Sequence, residues 1–327
     1  MLAAPAAGSP SGEVTIAPLR AQPTSSLLAR VAAGQVGGVI LLGNGWTTEQ
    51  ATRTAIDRLQ AVACRRGSPL LVAVDQEGGT VRRFPWAGPT ESAAAMRTAA
   101  EARAQASAAA PVLRRAGVSI DLAPVADTIS TPRSFLGTRS FGSDPLAVAS
   151  LVRAFVGGLQ QGGVAATAKH FPGLGSAVTS TDDHPVTIAR GTAFLTARLA
   201  PFRAAIAAGT KLVMVSNASY PALDPSGVPA VFSHPIVTDL LRDQLGFGGV
   251  VVTDALDAGA VVHESHAPSR ALAAGVDLLL YSRTVASVTG YSTLVRDAAA
   301  SATVRTNLAQ AVRRVDALKT SLGLRCR

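Results

Sequence analysis

The chain has 327 residues, 48% of them hydrophobic and 16% charged, which is enough apolar material for one large core or two ordinary ones and too much for a disordered chain. No apolar run approaches the roughly 18–20 residues that a membrane span needs. The net charge of +9 does not form a basic track: lysine occurs only at Lys169, Lys211 and Lys319, the arginines are scattered in nothing longer than pairs, and aromatics make up 4%, whereas a nucleic-acid groove clusters its cations among aromatic rings. Nucleic acid is therefore not expected as a partner.

Residues 1–20 are expected to form an N-terminal segment, partly disordered, and 21–327 a single domain. Met1–Pro10 is small and alanine-rich like the end of a secretory leader, without a basic start or a full apolar stretch. It points to an extracytoplasmic protein, with a cytoplasmic location as the alternative. Beyond it, apolar runs recur at Gly38–Leu42, Leu70–Val74, Val118–Leu122, Val164–Ala168, Lys211–Val215, Gly249–Thr253 and Val276–Leu280. Their starts are spaced as strand–helix units require. Thr47 and Gln50 read as a capping box before a helix running toward Arg66. Asp144-Pro145 opens a helix through Leu159, with proline at the tolerated first position. Gly117, Gly163, Gly209 and Gly275 stand between a helix and the next strand, where a left-handed residue is wanted. Near-continuous apolar strands alternating with helices imply a parallel sheet covered on both faces. Seven of them in this length favour a (β/α)8 TIM-type barrel with one irregular strand, for which Thr284–Val288 is the candidate. A doubly wound sheet is the alternative, but no G-x-G-x-x-G comes after the first strand.

The residues just past each run carry the functional signal. Asp75-Gln76-Glu77-Gly78-Gly79 comes after the second, Asp127 after the third, Lys169-His170-Phe171-Pro172-Gly173 after the fourth, Ser216-Asn217 after the fifth and Asp254 after the sixth. In a parallel barrel these positions share the carboxyl-terminal mouth, where catalytic groups gather. Acids, a lysine, a histidine and an amide converging there suit a polyhydroxylated ligand.

Val74-Asp75-Gln76-Glu77-Gly78-Gly79 with Arg83-Phe84, then Lys169-His170-Phe171-Pro172-Gly173-Leu174-Gly175, then Val252-Thr253-Asp254 resemble glycoside hydrolase family 3. The single-domain length and Gly137-Thr138-Arg139-Ser140-Phe141-Gly142 resemble its bacterial β-N-acetylglucosaminidase branch. The resemblance, from about residue 30 to 285, implies a retaining exo-glycosidase that removes terminal β-linked N-acetylglucosamine from cell-wall glycan fragments such as muropeptides. It needs no metal or organic cofactor. Asp254 takes the place of the carboxylate nucleophile that retaining hydrolysis requires. The branch draws its acid/base from a histidine oriented by an aspartate two residues earlier, here His184 and Asp182, with Asp182 or Asp183 as the alternative acid. An imidazole titrating near neutrality can give and retake a proton. Asp75, Arg83, Arg139, Lys169, His170 and Asn217 would bind sugar, and Glu77 would be structural, pairing beneath the mouth. Asn217 stands where the family often has histidine, and Ala255 replaces an acid that usually comes after the nucleophile. A β-glucosidase or β-xylosidase, a phosphorylase with the same nucleophile, and a sugar-binding relative without turnover are the other readings.

The remaining motifs imply less. His263-Glu264-Ser265-His266 is one residue short of H-E-x-x-H, and Gly173-Leu174-Gly175 lacks the lysine of a phosphate loop. Leu308, Val312, Val315 and Leu318 share a helical face that reads as barrel packing, and a monomer is expected. Cys64 and Cys326 are either two unrelated thiols or one bridge tying the C-terminal tail to the helix that holds Cys64.

Overall fold

The computed structural model describes residues 9–326. Eight strands form one parallel sheet: β1 Thr15–Leu19, β2 Gly38–Leu41, β3 Leu71–Val74, β4 Ile120–Asp121, β5 Ala165–Phe171, β6 Leu212–Val215, β7 Val250–Thr253 and β8 Leu279–Leu280. The order is β8-β1-β2-β3-β4-β5-β6-β7, and a bridge between Val252 and Leu278 joins the two ends. The sheet closes into the expected (β/α)8 barrel. Every residue of the eight strands is buried, as strands covered inside and out must be.

Two sequence expectations are corrected. Thr284 opens the helix Thr284–Ala300, so Thr284–Val288 is not the missing strand. That strand is β1, which pairs with both β2 and β8. The barrel therefore begins before residue 21, and Thr15–Leu19 is not part of a separate leading segment. Pro18 interrupts its apolar pattern, yet the strand's other backbone groups join the ladder, with Leu19 O accepting from Leu42 N and Ile16 O from Tyr281 N. The leader-like residues 1–8 lie outside the described residues.

Helix starts obey local chemistry. The Asp144 carboxylate accepts from Leu146 N at the head of Pro145–Gln161. The cap of Glu49–Cys64 is Thr48, whose hydroxyl accepts from Ala51 N, one residue later than the expected box. Gly117, Gly163, Gly209 and Gly275 all have positive φ, between 75° and 107°, as their places after helices demand.

The chain ends are tied at the opposite face from the mouth. The buried Lys319 ammonium, on the last helix Ala302–Ser321, donates to Glu13 at 2.6 Å. Cys64 and Cys326 form a disulfide, with Cα atoms 5.1 Å apart. Closing a loop of this length removes entropy from the unfolded chain. Native, unreduced protein should titrate no free thiol, and Cys326→Ser should lower unfolding free energy by about 2–4 kcal/mol in denaturant melts.

Candidate active site

The carboxyl-terminal ends of the strands surround a cleft of about 780 Å³. Its floor is built on β3, β4 and β5. After β3 the chain makes a short antiparallel hairpin, Gln76–Gly78 with Val81–Arg82, which brings Asp75, Glu77 and Arg83 to the mouth. The Gln76 amide side chain holds this turn together, donating to the carbonyls of Phe84, Ala87 and Gly88 and accepting from Phe84 N. Beyond β4, the loop containing the turn Gly137–Arg139 delivers Arg139. β5 supplies Lys169 and His170 in succession, at a point where its register with β6 shifts between Ala168 and Phe171, and both line the cleft.

These groups form one charge network. The buried Lys169 ammonium is 2.7 Å from both Asp75 Oδ1 and Glu77 Oε1. Arg139 grips Glu77 in a two-pronged bond, Nε to Oε2 and Nη2 to Oε1, both 2.8 Å. Such planar forks are among the stronger charge-assisted pairs. Burial alone would raise the Glu77 carboxyl, but the Lys169 and Arg139 charges outweigh it and hold it at about 2. Burial would likewise discharge Lys169, and Asp75 and Glu77 raise it instead. Glu77 thus has the structural role expected, and it also fixes two of the residues meant for sugar.

Asp121, the last residue of β4, is a carboxyl hidden within an apolar run. It is fully buried, Oδ1 accepts from Gln76 N at 3.0 Å, and Oδ2 has no partner among the described residues. Burial pushes its pKa well up, aided by Asp75 and Glu77.

His170 is oriented from behind. Its Nδ1 donates to Asp127 Oδ2 at 2.7 Å, while the same carboxylate accepts from the amides of His170 and Leu174. This fixes the tautomer and leaves Nε2 for the cleft.

Asp254 lies just past β7 and is half-buried. Oδ1 accepts from Ala255 N at 2.7 Å, and the other oxygen has no protein donor among the described residues. Asn217 is buried outside the lining and donates to Ala255 O at 2.9 Å. It braces the turn behind Asp254 and does not reach the cleft.

The loop after β5 is clasped to the loop after β7: Gly259 N donates to Asp182 O at 2.7 Å and Ala260 N to Thr181 O at 3.1 Å. Only glycine allows this approach, because a Cβ at residue 259 would lie 2.2 Å from Asp183 O. The clasp sets Asp182 at the cleft, where partial burial and then the Asp254 charge raise its carboxyl. His184 lies outside the lining, exposed, with no bond between its ring and Asp182. Of the nine residues expected at the site, Asp75, Arg83, Arg139, Lys169, His170, Asp182 and Asp254 therefore meet in one cleft, and His184 and Asn217 do not.

Sequence reasoning missed Asp121 and a second group, Arg20, Asp257, Ser282 and Arg283, which line the opposite side of the mouth. Arg20 stands just past the end of β1, a signal masked because that strand is not legible in the sequence, and Ser282 stands two residues past the end of β8. The network itself makes a prediction. Glu77→Gln should destabilise the fold by about 3–5 kcal/mol near neutrality, because it leaves two buried cations underpaired. The folded carboxyl lies below its ordinary 4.5. The stability it contributes is therefore fully present above pH 4.5 and lost as pH falls toward 2. The gap between wild type and Glu77→Gln in denaturant melts should narrow over that window.

The chain matches the family description "Glycosyl hydrolase family 3 N terminal domain" over residues 13–318. It is 36% identical over 263 residues to a β-hexosaminidase of Xanthomonas campestris pv. campestris, covering 75% of this chain and 76% of that one. It is 37% identical over 276 residues to an "uncharacterized secreted glycosyl hydrolase" of Arthroderma benhamiae, covering 80% and 77%. Among solved structures it superposes on a family 3 β-N-acetylglucosaminidase from Paenibacillus sp. with a TM-score of 0.90 at 30% identity, covering 96% of this chain and 62% of that chain. It superposes on a β-N-acetylhexosaminidase from Beutenbergia cavernae with a TM-score of 0.88 at 34% identity, covering 95% and 97%.

Proposed function

The chain belongs to glycosyl hydrolase family 3 and is a glycoside hydrolase, and from that premise we propose that it is a retaining exo-glycosidase removing terminal β-linked N-acetylglucosamine from cell-wall glycan fragments. The observation that carries the reading is the Asp254 carboxylate. One of its oxygens is pinned by Ala255 N, the other has no protein donor among the described residues, and it shares the cleft with the Asp75–Lys169–Glu77–Arg139 network. In the proposed cycle the free oxygen attacks the anomeric carbon as the leaving-group oxygen takes a proton. Water then attacks the anomeric carbon and displaces Asp254 while the acid's conjugate base takes a proton from that water, which restores the acid.

Asp75 accepts hydroxyl hydrogens of the glycone; Lys169, Arg139, Arg83 and the free nitrogen of His170 take up its oxygens, the acetamido carbonyl among them. We assign the proton to the Asp182–His184 segment. Asp182 already lines the cleft, and its raised pKa keeps a proton available to higher pH than an ordinary carboxyl. His184 would reach the leaving oxygen only if the outer part of its loop turned inward about the clasp at residues 181 and 182. The N-acetyl preference is supported by the names of the β-hexosaminidase and β-N-acetylglucosaminidase relatives. A place outside the cytoplasm is supported by the Cys64–Cys326 disulfide, which suits an oxidising compartment, and by the name of the secreted fungal relative.

Chromogenic β-N-acetylglucosaminide should be cleaved at least tenfold faster than the matching β-glucoside, and Asp254→Ala should lose roughly 10³-fold or more in kcat. Faster glucoside cleavage overturns the glycone assignment; cleavage of neither sugar overturns turnover itself. On substrates with poor leaving groups, Asp182→Asn should lose about 10²–10⁴-fold, and much less on activated ones. The same pattern in His184→Ala places the proton on the imidazole. Loss confined to Asp182→Asn places it on the carboxylic acid.

A further inference from the structure

The groups assigned to the glycone crowd one side of the mouth, over β3, β4 and β5. The cleft continues past Asp254 to the opposite side, over β8, β1 and β2, and the charges there are unlike those on the floor. Asp257 is buried, with 2% of its side chain exposed, and organises this corner. It accepts from Ser282 N at 2.7 Å, from Ser282 Oγ at 3.1 Å and from Arg283 Nε at 3.0 Å, while its backbone carbonyl accepts from Arg283 Nη2 at 2.6 Å. The Arg283 guanidinium is thereby fixed in place with 59% of the side chain in solvent. Next to it, Arg20 donates through Nη2 to the carbonyl of Ser282 at 3.0 Å. Its Nη1 lies over the bare backbone of Gly43, 4.0 Å from where a Cβ would stand. Arg20 has no carboxylate partner among the described residues. Two guanidiniums therefore converge on one wall of the cleft against a single carboxylate, which is committed below them. Sugar hydroxyls do not need that surplus charge, since a neutral leaving group would be served by amides and hydroxyls.

We propose that Arg20 and Arg283 form an anion subsite on the leaving-group side of Asp254, which selects glycosides whose leaving group carries a carboxylate. The inference rests on the exo-glycosidase reading for its direction across Asp254. It goes beyond it by naming residues that discriminate among leaving groups. Asp257 is a positioning residue: it aims Arg283 and does not meet the ligand. Guanidinium forks match carboxylate geometry, and exposed charge pairs are each worth up to about fivefold in affinity and weaken with salt.

The test compares 4-nitrophenyl β-N-acetylglucosaminide with the same glycoside bearing a carboxylate at ring position 3, in wild type, Arg20→Gln and Arg283→Gln. The readout is the ratio of kcat/KM for charged over neutral substrate, in which any general loss of activity cancels. The ratio should fall about two- to fivefold in each variant at low ionic strength, chiefly through KM. It should be largely restored in Arg20→Lys, and in wild type it should decline as salt is added. Arg20→Gln breaks no ion pair, so it keeps the test open if loss of Arg283 above buried Asp257 impairs folding. A ratio unchanged in Arg20→Gln and Arg283→Gln overturns the subsite. So does an outcome in which inorganic phosphate, and not the ring carboxylate, depends on the pair, because that points to free phosphate at this wall. If wild type cleaves neither substrate, the exo-glycosidase reading falls on its own. The same ratio, taken as Kd for the two glycosides by calorimetry, then reads the subsite.

Discussion

The mouth of this barrel depends on one buried ammonium. Lys169 is almost wholly removed from water, and a cation in that position survives only if paired charges replace its hydration. Asp75 and Glu77 do so from the turn after β3, and Arg139 balances the second carboxylate from the loop after β4. Two cations meet two carboxylates, so the charges of the floor largely cancel. The pairing also ties three strand ends to each other. Removing one member leaves its partner buried and unmatched, which is why the donors and acceptors offered to a sugar are held in advance of binding and need not be ordered by it.

The neutral floor throws the other groups into relief. Asp254 stands at the edge of the network with one oxygen tied to Ala255 N, and Asn217 braces the carbonyl of Ala255 from inside the core. The turn that presents Asp254 is therefore held from two directions. His170 owes its orientation to Asp127, which binds the ring and two backbone amides. Across the mouth, Asp257 does for Arg283 what Glu77 does for Arg139, but at the surface. The two arginines differ in exposure, 24% for the Arg139 side chain against 59% for Arg283. Arg139 is thus the more enclosed of the two, and Arg283 presents more of its side chain to solvent.

The sequence made the strands legible because a parallel barrel strand is apolar on both faces, and seven such runs stood out. β1 did not, since Thr15-Ile16-Ala17-Pro18-Leu19 contains a proline and only its pairing with strands distant in sequence shows it to be one. Recognition of the seven strand ends was enough to collect Asp75, Lys169, His170 and Asp254. Asp121 was hidden because a lone acid in an apolar run reads as noise until Gln76 N is seen bonded to it. Asn217 was misjudged for the opposite reason: a polar residue just past a strand looks like a ligand-binding group, and only burial reveals that it serves the backbone. The position of His184 was beyond local reading altogether. It is decided by hydrogen bonds from Gly259 and Ala260, some 75 residues further along, which grip the loop at residues 181 and 182.

That grip bears on the two opposite proton tasks that the proposed reaction would set one cleft. A retaining glycosidase needs one carboxyl ionised for attack and another group protonated at the same pH. Asp254 keeps one oxygen fixed by the Ala255 amide and the other without a protein donor among the described residues. The Asp182 carboxyl lies above its ordinary range, raised by partial desolvation and then by the Asp254 charge. An ionised Asp254 adds to the cost of ionising Asp182, after the larger cost of its partial desolvation. In the reading proposed above, separating the two loops would take Asp182 away from the Asp254 charge and so remove one of the causes that raise it. Gly259, whose lack of a side chain permits the loops to touch, thus helps to hold Asp182 beside the cleft.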